Sequence, residues 1–305
     1  MPPLDDEARA VLIAMLRWGV PPALVAAIVV MAVLEWLGGP KQAPAAAALG
    51  LIAGVVLGLW SYSAAPLFST EETSPLLAGL RGALNLVNGD SSWNRMPWAV
   101  LAAVCTERLA RALDTHTNDG WLLRGATAVG IAWWLIPEPA REEFVWLAPS
   151  FAAVVFLEWE LLARLAAEPP DGSVLVCLAL AFLTAGILLV NAGISRSMEA
   201  SVMCASALVG VALVAWLRRA DTSGAIPAAA VLLPGLLLMG QQETSEPVPW
   251  SAFAAAALGP LMLAGAWPVR RWPAIPRHLV CLVLVLIPLI AAVLLALPGE
   301  AQEPR

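Results

Sequence analysis

VVFLEWELLARLAAEPP, residues 154–170, closes an apolar run that begins near Val145, and two carboxylates, Glu158 and Glu160, interrupt it before it ends. A helix of roughly 20 residues crosses about 30 Å of hydrocarbon. The acids therefore mark either an early exit from a membrane or a buried site. The surrounding chain decides the first question, whether this is membrane sequence at all. Of its 305 residues 60% are apolar and 13% charged, against about 25% charged in a soluble globular domain. Its apolar runs are continuous and rich in Ala, Leu and Val. The period-2 alternation of an outer-membrane strand is missing, and that leaves helices, which satisfy their own backbone in lipid. The expected fold is all-α, a polytopic integral membrane helical bundle of about ten transmembrane helices with an interfacial N-terminal helix.

Crossings are expected at 21–37, 44–62, 96–113, 121–137, 145–165, 173–194, 201–217, 226–240, 248–267 and 278–297. The shortest, 226–240, contains Pro227 and Pro234. Residues 1–20 read as an amphipathic, interfacial segment: ARAVLIAMLRWG (8–19) is too short to span and meets Pro21 and Pro22, which oppose helix continuation. Its acidic start and the lack of a small-residue cleavage site differ from a signal peptide, so it is expected to stay attached. Residues 21–305 then form a single transmembrane domain, with an exterior loop at 63–95. Trp36, Trp60, Trp98, Trp121, Trp146, Trp216, Trp250 and Trp267 fall near the expected helix ends, as in an interfacial aromatic belt.

Basic residues give the orientation. Loops after crossings one, three, five, seven and nine hold Lys41, Arg108, Arg111, Arg124, Arg164, Arg218, Arg219, Arg270, Arg271 and Arg277, ten of the 17 in the chain. The opposite set holds the other seven together with 14 of the 23 acids. The positive-inside rule makes the first set cytoplasmic, in a cell inner (cytoplasmic) membrane, with both termini outside. ERLARAL (107–113) and ELLARLA (160–166) share Glu-x-Leu-Ala-Arg at an offset of 53, an echo that a hairpin duplication would leave and that Ala-Leu-rich membrane sequence also produces by chance.

The same two stretches carry charges that need an account. Glu107 and Arg111, like Glu160 and Arg164, have the i,i+4 spacing and order of a surface helix pair, worth about 0.2–0.5 kcal/mol when exposed. They read as helix-end stabilisers. Glu158 is different, because it is turned roughly 200° from Glu160 and lies about 18 Å along a helix from Trp146. Facing lipid there would cost about 2.5–3.5 kcal/mol, so Glu158 is expected to face protein or water, with Arg108 or Arg111 as its partner. Leu34-Glu35-Trp36 repeats the order of Leu157-Glu158-Trp159. Intramembrane charges mark substrate or proton paths, and Glu35, Glu107, Arg108, Arg111 and Glu158 are the candidate residues, with Arg124 a further member.

The expected function is transport or permeation of a small solute through a bundle with charged residues in its cytoplasmic half. Two alternatives stand beside it. A membrane-embedded transferase acting on a lipid-linked substrate would use Glu71 and Glu72 of the 63–95 loop as base or metal ligands. A non-catalytic scaffold or assembly subunit would need neither. No Walker A, GxGxxG, HExxH or GxSxG motif occurs, and no catalytic residue is assigned. Cys105, Cys177, Cys204 and Cys281 form no CxxC, and His116 and His278 lack metal or triad spacing, so neither metal nor cofactor is expected. A net charge of −6 without a basic patch argues against nucleic acid. The expected partners are the lipid bilayer and a small-molecule substrate, and the sequence carries no mark of oligomeric state.

Overall fold

The computed structural model describes residues 6–64, 92–114, 119–137, 140, 142, 144–167, 172–244, 248–269 and 272–297. Glu71, Glu72 and His116 lie outside these. The chain is built from helices α1 (Asp6–Trp18), α2 (Val20–Gly38), α3 (Ala43–Ala64), α4 (Ser92–Asp114), α5 (Gly120–Leu135), α6 (Leu147–Ala167), α7 (Ser173–Asn191), α8 (Ser195–Arg218), α9 (Ile226–Glu243), α10 (Trp250–Leu258) and α11 (Ala274–Ala296). Short 3-10 turns occupy Pro40–Gln42 and Ser223–Ala225, and a longer 3-10 run, Gly259–Val269, follows α10. No strand occurs among the described residues.

The helix break expected after residue 19 is present, with α1 ending at Trp18 and α2 starting at Val20, but Pro21 and Pro22 do not make it. They occupy the first turn of α2, where a missing N–H is no loss. The break falls at Gly19 instead, and hydrogen bonds run across it, from Gly19 N to Met15 O at 2.9 Å and from Ala23 N to Gly19 O at 3.1 Å. Pro234 likewise sits inside a continuous α9. This helix, expected to be the weakest, is the most deeply enclosed of the apolar helices, packed against α4, α6, α7 and α10. Neighbouring helices are what let a membrane helix tolerate such a proline.

Close packing elsewhere rests on small residues. Helix α3 presents Gly50, Gly54 and Gly58 at intervals of four to α2 and α8. A Cβ on Gly54 would lie 2.7 Å from Ala207 Cβ and 2.7 Å from the Ala23 carbonyl oxygen, so only glycine permits this approach. Between membrane helices, contact of this kind supplies van der Waals attraction that apolar side chains cannot gain from a lipid solvent. The opposite faces are apolar as well. Val25, Val29 and Val33 on α2, and Leu279, Val283, Ile287, Ile290 and Leu294 on α11, are exposed. Continuous apolar faces of this extent are a liability in water and ordinary against hydrocarbon.

Among the described residues, seven segments are long and apolar enough to cross a membrane: Ile13–Gly38, Pro40–Tyr62, Ser173–Asn191, Ser197–Arg218, Ser223–Glu243, Trp250–Val269 and Ile275–Ala296. The remaining long helices, α4, α5 and α6, stand where crossings three to five were expected. Helix α5 is 16 residues long, while α4 and α6 carry Glu107, Arg108 and Arg111, and Glu158, Glu160 and Arg164. These helices assemble the charged site.

Candidate functional site

On α4 the buried stripe runs Met96, Ala99, Ala103, Glu107 and Ala110, steps of three and four that share one helix face. Glu107 is therefore carried inward by its register. Arg108, about 100° further round, is exposed beside exposed Leu109. On α5 the stripe is Gly120, Arg124, Ala128, Ile131 and Leu135, and it turns Arg124 toward the same interior. Helix α6 contributes Trp159, which is fully buried.

Glu107 is the hub. Its Oε1 accepts from Arg111 Nε at 2.7 Å, while its Oε2 accepts from Arg124 Nε at 2.9 Å and from Trp159 Nε1 at 2.7 Å. Arg124 spans two helices, donating from Nη1 to Glu160 Oε2 at 2.8 Å. Glu160 Oε1 in turn accepts from Arg164 Nη2. In the other direction Arg111 reaches the turn between α8 and α9: its Nη2 donates to Ser223 Oγ, and its Nη1 lies 3.5 Å from Asp221 Oδ2. Asp221 Oδ1 accepts from the Ser223 backbone N–H at 2.8 Å and from the Ser223 hydroxyl.

The result is an alternating chain, Asp221–Arg111–Glu107–Arg124–Glu160–Arg164, of three acids and three bases. Side-chain exposure falls from 31% and 32% at Asp221 and Arg111 to 4% at Glu107 and 9% at Arg124, then rises through 16% at Glu160 to 64% at Arg164. Charge-assisted bonds offset the desolvation cost most completely where each ion has several partners, which is the case at the centre. The turn that brings Asp221 here leaves α8 through Arg219, a non-glycine residue at φ 53°, and lies on the start of α3. A Cβ on Gly224 would fall 1.9 Å from Pro44 O, so the turn needs glycine there. The last turns of α4 and α6, the turn after α8 and the start of α3 are thus joined at one end of the molecule.

The expected site is redrawn by this geometry. Glu107 and Arg111 come together, joined by Arg124. Arg108 does not enter, because its register faces outward, and Glu35 takes no part in the chain; its Oε2 is buried without a hydrogen-bond partner. The Leu-Glu-Trp likeness also ends at sequence, since Trp36 is 72% exposed and Trp159 fully buried. Glu160 is not a plain surface pair, because Arg124 holds it from the inner side. The expected bond from Glu158 to Arg108 or Arg111 is absent: Arg111 is engaged by Glu107, Asp221 and Ser223, and both Glu158 oxygens are buried without a hydrogen-bond partner. Glu158 does face protein, at 0% exposure, as the cost of facing lipid requires.

Trp159 is the member that sequence reading missed. Trp36, Trp60, Trp98, Trp121, Trp133, Trp134, Trp146, Trp216, Trp250, Trp267 and Trp272 are exposed, and Trp159 alone among the described tryptophans is sealed inside. Among the described residues no group of three His, Cys, Asp or Glu side chains is placed to hold a metal ion. No family model, curated protein or solved structure matches the chain.

Proposed function

We propose that the chain is a multi-pass membrane protein of ten crossings that transports a small solute, with the six-charge chain as the closed gate at its cytoplasmic end. The observation that carries this reading is how the charges are distributed. Helices α4 and α6 fall short of an apolar span because of residues that they and α5 enclose together or place at their ends. Their lengths, 23 and 21 residues, correspond to about 35 and 32 Å at about 1.5 Å per residue. Helix α5, at about 24 Å, crosses with the help of its flanking residues. Lys41, Arg108, Arg164, Arg218 and Arg219 are all exposed on the helix ends and turns that flank the charge chain, in keeping with a cytoplasmic face.

Closure by ion pairs differs from closure by glycine packing. The α2–α3–α8 contact has one close-fitting arrangement, whereas paired charges can separate if each finds water or a solute ion instead. Such two-state contacts at one end are the material of alternating access. A permanently closed network would fit the scaffold reading, and a measurement that needs no substrate separates the two. Spin labels at Arg108→Cys on α4 and Arg218→Cys on α8, in protein held in liposomes, report the width of this end. Two distance populations are expected, with Glu107→Gln enriching the longer one. One narrow distance, unchanged by Glu107→Gln, would contradict a gate and leave a scaffold.

A further inference from the structure

Glu158 is fully buried and both of its carboxyl oxygens lack a hydrogen-bond partner, two residues from a carboxylate that is bonded to two arginines. The difference follows from helix geometry. Phe156 packs beside Gly125 of α5 and Glu160 reaches Arg124 of α5, and Glu158 stands roughly 200° from each. It lies on the flank turned away from α5, and the other elements that pack on α6 are α9, the Gly259–Val269 segment, the Ser223–Ala225 turn and α7.

Among the described residues, the elements that pack on this side of α6 bring no ionised group to it. Gly259–Val269 carries no titratable side chain, α7 carries only Cys177, and α9 only Glu243, which is exposed at its far end. Arg124 of α5 is turned to Glu107 and Glu160, and Ser223 in the turn below binds Asp221 and Arg111. On α4, Glu107 and Arg111 are paired and Arg108 is exposed. An isolated carboxylate ion sealed from water lacks any counter-charge, whereas a neutral carboxylic acid needs none.

The surroundings are also mechanically unusual. Gly259–Val269 is an 11-residue 3-10 run containing Pro260 and Pro268, far beyond the three or four residues at which such runs normally stop, and 3-10 stretches of this kind mark hinges. Pro234 interrupts the hydrogen bonding of α9, and Pro288, on α11, lies against Gly259. The helix that carries the buried carboxyl therefore packs against two segments whose hydrogen-bond ladders are interrupted, α9 at Pro234 and Gly259–Val269.

We propose that Glu158 is a proton-binding site, sealed in its acid form in this arrangement and opened to water when α6 moves against α9 and Gly259–Val269. The only bond made or broken is the carboxyl O–H, and the proton is taken from water and returned to it. As the coupling group of a gate the proposal rests on the transport reading; as a proton site it stands alone, and the test separates the two. Infrared difference spectra of the full-length protein in liposomes, recorded across a pH titration, should show a protonated-carboxyl C=O band. The band should shift when glutamate is carbon-13 labelled and vanish in Glu158→Gln. A spectrum with no such band, or a band that survives Glu158→Gln, overturns the proposal. Should Glu158→Gln fail to fold, the isotope shift and Glu158→Asp, which should move the band, decide it in its place. With the Arg108 and Arg218 spin labels, pH should shift the two populations in the wild type and not in Glu158→Gln. Loss of that pH response with the infrared band retained would remove the coupling role alone, and a single population would remove the gate without touching the proton site.

Discussion

Glu107 receives donors from three different helices, its own included, so its loss is felt in three places. With Glu107→Gln the amide still accepts from Trp159 Nε1, but Arg124, 9% exposed, loses the negative charge nearest its Nε. Breaking a buried pair from one side costs about 3–5 kcal/mol, and a loss of that order is expected from equilibrium unfolding in mixed micelles. Arg164 ends the same chain at 64% exposure, where solvent screens the interaction; Arg164→Ala should cost at most about 1 kcal/mol. Glu160→Gln should fall between them, because one of its two arginines is buried and the other is not. Equal losses for all three would show that the charges do not form a graded chain. The acids and their i,i+4 arginines were legible in sequence from spacing. Arg124 was legible too, as a charge in the register of Ala128, Ile131 and Leu135, although that stripe emerges only once its small residues are known to face inward. That Glu158 would be left without a hydrogen-bond partner was not legible, since the number of arginines near it in sequence says nothing about which carboxylate claims them first.

Helix α3 shows what its spacing was for. Gly50, Gly54 and Gly58 form a repeated Gly-x-x-x-Gly pattern in the sequence, and that signal, rather than hydropathy, identifies the face that α2 and α8 occupy. Gly54→Val would drive branched carbons into Ala207 and the Ala23 carbonyl, and the expected outcome is loss of folded protein in detergent. Gly130 on α5 supplies the control, because a Cβ there meets nothing within 4 Å. Gly130→Ala should leave the fold intact and gain up to about 1 kcal/mol from helix propensity. If both variants behave alike in thermal unfolding, the close contact is not what holds α2, α3 and α8 together. Helix α9 carries the opposite lesson. Its two prolines and short length mark it as weak by local criteria, yet it is the central helix, because neighbours on every side compensate what the local ladder lacks. Local pattern registers the defect and cannot register the neighbours.

Taken whole, the molecule pairs an apolar exterior with one continuous chain of paired charges at one end, and the order of its helices fixes which helix ends share it. Composition was enough for the helical class and for most helix positions, since apolar runs and Trp-marked ends are local features. The gathering of Arg111 with Asp221, 110 positions away in sequence, depends on the turn at Gly224 resting on Pro44, a packing event with no local signature. The measurement that tests this architecture most directly places single cysteines at Arg219, in the turn after α8, and at Gln242, in the last turn of α9, both exposed. Cys105, Cys177, Cys204 and Cys281 are replaced in the background. With a membrane-impermeant maleimide on intact cells, Gln242→Cys should label from outside, and Arg219→Cys only after the membrane is opened. Labelling of both from the same side would contradict an α9 that crosses the membrane, and with it the proposed ten-crossing bundle and the proposed cytoplasmic gate.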